Sequence, residues 1–310
     1  MNHAADAQGH RMPRLAWLAL ALSCVVTLAR SSEAQSANDT RGILFSVRDY
    51  QRSGVVVSSA GERVRILVEP IAFVSGGILT KLPDEPDLDA FARDYYPKDR
   101  SYDLIAAGRV AGKVKIDDSA FDVQCESLAA RGTVIPGDTV SGMRMALASN
   151  VSFRDPHLTR RAATSDERAK IVGIAQEVYR ENGVAPDVAK RAEARNVTVF
   201  ERADQALLIA SFEAEELRHE GGFDADYVNA VFVIAEREGD GAYSVTHKWF
   251  HSGSDNTLET QDLVDVLDLV GTGSIDVVTQ FGYYEAVEYH IYRRKGEQWQ
   301  DFYQQFGGGC

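Results

Sequence analysis

His247 and His251, four apart in the run Thr246-His-Lys-Trp-Phe-His251, are residues whose type and spacing suggest chemistry. On a helix, side chains four apart share a face and could hold one metal ion. On a strand each residue advances about 3.3 Å, so the two side chains would start about 13 Å apart and could not share an ion. The aromatic and β-branched neighbours favour the strand, and with it no zinc site. A second stretch, Glu213, Glu215, Glu216, Asp224 and Asp226, holds enough carboxylates for an acid/base pair. Nothing in its spacing fixes their separation, so a solvated charged segment is the expectation. The aromatic pairs Tyr95-Tyr96, Trp249-Phe250 and Tyr283-Tyr284 could form a platform for carbohydrate, although such pairs more often serve in core and cross-strand packing. The chain contains no G-x-S-x-G elbow, Walker A loop, dinucleotide fingerprint or H-E-x-x-H. No catalytic residue and no cofactor is assigned, and the binding residues stay unknown.

Asp268-Leu-Val-Gly271-Thr-Gly273-Ser-Ile-Asp276-Val-Val, followed by Tyr283-Tyr284-Glu285, resembles one unit of the FG-GAP/VCBS type, the repeat of integrin-like β-propellers. The resemblance covers about 40 residues. It implies a loop of the form D-x-D-x-D-G-x-x-D/E between strands, able to hold calcium through its carboxylates. Asp268 and Asp276 match the first and last acidic positions and Gly273 the turn glycine, while Val270 and Thr272 replace the two middle acids. A hard cation wants six to eight oxygens, and valine offers only its carbonyl. Asp268 and Asp276 are therefore a degenerate ligand pair, and the turn is expected to stand without calcium.

One strand–turn–strand pattern is written twice near the end of the chain. The first copy runs from Tyr227 through Phe232, Ile234 and Gly239 to Tyr243; the second runs from Tyr284 through Tyr289, Ile291 and Gly296 to Trp299. Tyr227 and Tyr284, Phe232 and Tyr289, Ile234 and Ile291, and Gly239 and Gly296 all differ by 57 positions. A fixed period of this size marks stacked units that cannot bury their apolar faces alone.

The N-terminus bears on compartment. Arg11 and Arg14 precede an apolar run from Leu15 to Ala29, and Ser32-Glu33-Ala34 places small residues at −3 and −1 of a cleavage point before Gln35. The run is short for a span of about 20 residues, so residues 1–34 are read as a removable signal peptide and the protein as secreted or periplasmic. A retained anchor and a lipoprotein modified at Cys24 stay open, although Ala21-Leu22-Ser23 fits a lipobox poorly. Cleavage would remove three arginines and two acids, taking the net charge from −13 to −14. Such a product is unsuited to nucleic acid or to an anionic membrane surface. Cys125 and Cys310 would remain, and an even count in an oxidising compartment favours a Cys125–Cys310 disulfide, with a buried structural thiol at Cys125 as the other reading.

The elements needed to position these residues are mostly strands. Ile43, Phe45 and Val47 alternate with Leu44, Ser46 and Arg48, and Val64, Ile66 and Val68 with Arg65, Leu67 and Glu69, as in half-buried strands. Tyr102 to Ile116 reads as a hairpin turning near Gly108. A helix is expected over Leu88, Phe91 and Ala92, closed by Pro97. Another follows Thr164-Ser-Asp-Glu167, a capping-box pattern, with Ile171, Ile174, Ala175 and Val178 on one face and a stop at Asn182-Gly183. A face one stripe wide covers a sheet.

The resulting expectation is a mainly β (α+β) protein. It has antiparallel sheets or a small barrel at 41–155, a polar linker, and a helix with repeated, blade-like hairpins at 163–310. The functional expectation is an exported, non-catalytic binding or cell-surface structural protein. Its partner would be an unknown protein or glycan, with no nucleic acid and no stable membrane insertion after cleavage. The alternative is an extracellular hydrolase, with polysaccharide as its candidate substrate, whose carboxylates meet only in the fold. A concave pocket where carboxylates converge would favour the hydrolase; scattered acids would favour binding.

Overall fold

A computed structural model of the protein describes residues 41–49, 65–119, 128–136, 144–203, 205–220, 223–254 and 257–309. The expected signal peptide at 1–34, Val64, and all three cysteines, including the expected Cys125–Cys310 disulfide, lie outside the described residues. Of the described residues 62% are strand and 13% helix, so the protein is mainly β with antiparallel sheets. Among them, no helix is long and apolar enough to cross a membrane.

The first seven strands are β1 (Gly42–Asp49), β2 (Arg65–Ser75), β3 (Ile78–Thr80), β4 (Ser101–Ala106), β5 (Arg109–Ser119), β6 (Ala130–Pro136) and β7 (Met145–Ser149). They pair in the order β1-β7-β4-β5-β6-β2-β3, and β1 also pairs with β2, which closes six strands into a barrel. Ile43, Phe45 and Val47 point inward, with Ile66, Val68, Tyr102, Leu104, Val114 and Ile116 beside them. Helix α1 (Leu88–Tyr95) plugs this interior. Asp87 caps it by accepting the Ala90 N–H at 2.9 Å, and Phe91 and Tyr95 pack on Phe73.

The polar stretch after the barrel does not stay irregular. Thr159–Ala162 forms β8 and pairs with β9 (Glu193–Arg202). Strands β10 (Gln205–Glu220), β11 (Phe223–Glu238) and β12 (Ser244–Ser254) complete a five-stranded sheet in the order β12-β11-β10-β9-β8. Between β8 and β9 run α2 (Ser165–Glu181) and the short α3 (Pro186–Lys190). The capping box forms as its residues dictate: the Thr164 hydroxyl accepts the Glu167 N–H, and the Glu167 carboxylate accepts the Thr164 N–H. Ile171, Ala175, Val178 and Tyr179 then cover the sheet, packing on Leu208, Ala210, Val231 and Val233. The last four strands, β13 (Thr260–Leu267), β14 (Asp276–Gly282), β15 (Ala286–Lys295) and β16 (Gln298–Gly309), form an antiparallel meander.

This meander is buried on both faces. Val264, Leu267, Val278, Tyr289, Ile291 and Tyr303 pack on the outside of the barrel through Leu44, Ile71, Ile105 and Leu147. Leu263, Val266, Val277, Tyr292 and Trp299 pack on the five-stranded sheet through Leu207, Ile209, Phe232 and Ile234. Strand β1 is therefore not half-buried as its alternation predicts. Ile43, Phe45 and Val47 fill the barrel, whereas Leu44 and Ser46 are covered by the meander. The covering brings the Glu69 carboxylate inside, where it accepts from Arg48 Nε at 2.8 Å and from the Tyr289 hydroxyl at 2.9 Å.

Gly239 and Gly296 both turn between antiparallel partners with positive φ, 56° and 64°. The two hairpins belong to different sheets, and their connections differ, residues 239–243 in one and only 296–297 in the other.

Candidate functional site: an arginine-lined cleft

Turns and strand ends from both halves of the chain surround a cleft of about 910 Å³. Its walls come from the β4–β5 turn, the start of β7, β8, the first turn of α2, β9 and β13. Among the described residues six arginines line it, Arg109, Arg144, Arg160, Arg161, Arg168 and Arg195, and no Asp, Glu or His does. In a chain with formal charge −13 this is a local reversal of sign. A concave wall of one charge concentrates counter-ions far more strongly than the same charges spread over a surface.

Strand geometry divides the work of the adjacent pair on β8, because successive side chains point to opposite faces. Arg161 turns toward α2 and is used up there. Its guanidinium donates to both Glu167 oxygens, at 2.7 and 2.8 Å, and to Glu201 at 2.9 Å. Those bonds, with the Thr164 cap and the Tyr243 hydroxyl, hold the Glu167 carboxyl well below the usual carboxylate range. Arg160 turns toward β13. It forms no ion pair among the described residues, and burial pulls its pKa down from the usual arginine value while nearby Asp265 pulls it up. A guanidinium keeps its charge regardless, so it is a desolvated cation with unused donors facing a cavity. Arg109, Arg144 and Arg168 likewise form no ion pair among the described residues. Arg144 Nη1 donates to the Arg195 carbonyl at 3.1 Å, and Arg195 pairs with Glu213 and, at 3.8 Å, with Asp262.

Behind Arg160 lies Asp265, with no solvent exposure. Its carboxylate accepts the Ala107 N–H, at 2.9 and 3.2 Å to its two oxygens. Burial pushes the carboxyl up to about 7, against the opposing pull of Arg160 and the backbone donors of Val266 and Ala107.

The residues singled out from sequence fall elsewhere. Asp268 accepts the N–H groups of Thr272 and Gly273, at 3.1 and 2.6 Å. Asp276 accepts Leu269 N–H at 3.1 Å and is clamped by Arg293, with Nε at 2.6 Å. Arg154 and Arg202 donate to the turn carbonyls of Gly271 and Gly273, both at 3.0 Å. This donor set does not fit a hard cation, since guanidinium and amide groups occupy the oxygens an ion would need. His247 and His251 lie on strand β12 with different surroundings. The His247 ring packs against Tyr292, centroids 4.8 Å apart, and burial pushes its imidazole down to about 4. The His251 ring nitrogen Nε2 lies 2.6 Å from the Thr257 carbonyl. Tyr95 and Tyr96 are core residues of the barrel, and Trp249 packs edge-on against Phe281 at 5.3 Å.

Carboxylates do meet a histidine at His290. Its Nδ1 is 2.6 Å from Asp301, its Nε2 3.5 Å from Glu288, and the Tyr283 hydroxyl donates to Glu288 at 3.1 Å. The ring is covered by Phe281, centroids 4.2 Å apart, and is only 7% exposed.

No motif announces the cleft arginines, which are spread from position 109 to 195 over five segments. Two local signals existed: the pair Arg160-Arg161, and the single acid in the apolar run Leu263-Val-Asp265-Val-Leu267. Comparison with known protein families, with curated proteins and with solved structures finds no match for this chain.

Proposed function

We propose that this is an exported, non-catalytic binding protein whose arginine cleft holds an organic ligand carrying two or more anionic groups. The observation that carries this reading is the lining itself: among the described residues, six arginines and no carboxylate, in a strongly acidic chain. A cleft of about 910 Å³ is large for a bare inorganic ion and in the range of small-molecule sites. Apolar wall residues such as Val110, Met145 and Leu263 suit the body of such a ligand, and the unpaired arginines suit its charges. Acidic glycan fragments and polycarboxylates both answer this description.

Calorimetric titration with citrate tests it. Binding is expected, weakening with added salt, and falling roughly tenfold or more in an Arg109→Ala/Arg144→Ala/Arg160→Ala protein. Equal affinity in the triple variant, or no binding of citrate, sulfate or a uronate oligosaccharide, overturns the reading. Export is tested separately by N-terminal sequencing of protein recovered from the cell envelope or medium, which should begin at Gln35.

The hydrolase alternative draws on the His290–Asp301–Glu288 group, whose Nε2 is buried without a hydrogen-bond partner. It is the less favoured reading, because the ring is covered by Phe281 and does not line the cleft. Within the same proposal, the hairpins around Gly239 and Gly296 are copies of one scaffold unit, and the Asp268–Asp276 turn is a degenerate FG-GAP-like connection.

A further inference from the structure

Arg160 and Asp265 stand in an unusual relation to the cleft. One is a half-buried arginine on the cleft wall without an ion-pair partner among the described residues; the other is a carboxyl with no exposure, close enough to feel its charge and bonded to backbone. We propose that the cleft takes up its anion together with a proton, the anion docking on Arg160 and the proton going to Asp265. This rests on the anion-binding reading above and adds its regulation.

The physical reason is charge balance in a poorly solvated place. When Asp265 is ionised, it offsets the charge of Arg160 and repels an incoming anion. When it is protonated, Arg160 is left uncompensated and an anion restores balance. The effect is reciprocal: an anion on Arg160 makes the proton on Asp265 harder to lose, so protonation and anion binding strengthen each other by the same factor. Because burial already pushes this carboxyl up to about 7, the exchange falls in the neutral range.

The groups around Asp265 leave it as the responsible site. Strand β8 contributes Arg160, and the β4–β5 turn contributes the Ala107 N–H. The strands packed on β13 surround this region with apolar side chains, Leu147 from β7, Ile209 from β10, Ile234 from β11 and Val278 from β14. The neighbouring acid on β13, Asp262, faces Arg195 instead. Among the described residues the cleft lining holds no Asp, Glu or His. A protonated Asp265 still offers an oxygen to Ala107 N–H, so the turn can be held in both states.

Sulfate is a suitable probe because it does not titrate over the range used. With the full-length mature protein, sulfate should bind about tenfold or more tightly at about pH 5.5 than at about pH 8.5. Near neutrality, titrations in two buffers of different ionisation enthalpy should show net proton uptake on binding. Asp265→Asn keeps an acceptor for Ala107 and should abolish the uptake, leaving affinity nearly independent of pH at the tighter value. If that variant does not fold, the proton count on the wild-type protein decides. Equal affinity at both pH values without proton uptake overturns the coupling while leaving the anion site standing, as does an Asn variant that keeps the wild-type pH dependence. Absence of sulfate binding at either pH overturns both.

Discussion

The carboxylate of Asp265 lies 2.9 Å from the backbone nitrogen of Ala107, 158 positions earlier in the chain. That contact ties the tip of a barrel hairpin, where Ala107 lines the cleft, to the meander. Ala107 and Gly108 make a two-residue turn with φ of 51° and 74°, both in the left-handed region. Such a turn matches the twist of paired strands, but a non-glycine residue there costs about 1 kcal/mol. With both residues committed to the turn, the Ala107 N–H points away from its own hairpin and needs an acceptor from elsewhere, which Asp265 provides.

A pH dependence of stability follows from the same carboxyl. In the native protein it keeps its proton up to about 7, whereas the unfolded chain releases it near 3.8. Its contribution to stability is therefore full below 3.8 and is lost as pH rises to about 7, at no more than about 1.4 kcal/mol per pH unit. His247, pushed down to about 4 by burial, acts in the opposite sense up to its ordinary value of 6.5. The measure is thus the difference between wild type and Asp265→Asn in urea unfolding, which should narrow or reverse in favour of the variant as pH rises from about 4 to 7. Parallel curves would show that Asp265 ionises normally.

Gly108 is the tighter half of the turn. A Cβ built there would sit 2.5 Å from Pro156 Cγ, in a backbone conformation that side chains rarely adopt. Gly108→Ala should cost about 2 kcal/mol or more, because the proline ring cannot swing aside. Gly76, with φ of 55° and open space around it, is the control and should lose only about 1 kcal/mol on the same change. Equal losses at the two sites would mean that the segment carrying Pro156 yields freely.

Much of the scaffold was legible in the sequence, and for identifiable reasons. The capping box at Thr164–Glu167 and the single apolar stripe after it define α2 and its sheet-covering role, since both are local. The turn at Gly108 was equally plain from its glycine. The double burial of β1 was not, because alternation at Ile43, Phe45 and Val47 says nothing about a second sheet arriving more than 200 positions later over Leu44. The cleft was illegible for the same reason. Its arginines sit on five separate segments, and Arg160-Arg161 fall in a stretch that reads as a polar linker until β8 gives the two side chains different partners. At Asp268 and Asp276 the family-like spacing drew attention, yet the carboxylates are consumed by backbone and Arg293.

Glu167 gathers more partners than an ordinary cap. It accepts two bonds from Arg161, one from the Thr164 N–H and one from the Tyr243 hydroxyl at 2.7 Å. Glu167→Ala should lower stability by about 2 kcal/mol, more than loss of a surface cap alone. It should also tighten sulfate binding in the cleft, because Arg161 would be left with Glu201 as its one carboxylate partner among the described residues. Unchanged sulfate affinity would mean that Arg161 does not reach the ligand.

Arg293 rather than calcium should hold the Asp268–Asp276 turn. Asp276 has no exposure, and burial pushes its carboxyl above the usual carboxylate range while Arg293 pulls it back. Removing the guanidinium leaves a buried carboxylate with one backbone donor, a change that costs about 3 kcal/mol in comparable pairs. Arg293→Ala is therefore expected to lower the melting temperature by several degrees. A calcium chelator added to the wild-type protein should shift it by less than about 2 °C, since the oxygens a calcium ion would need are already engaged. A chelator-induced drop of about 10 °C would show that the turn recruits oxygens from elsewhere and that the arginine clamp is secondary. A silent Arg293→Ala together with a silent chelator would leave Gly271, Gly273 and the Asp268 bonds to Thr272 and Gly273 as the elements holding the turn.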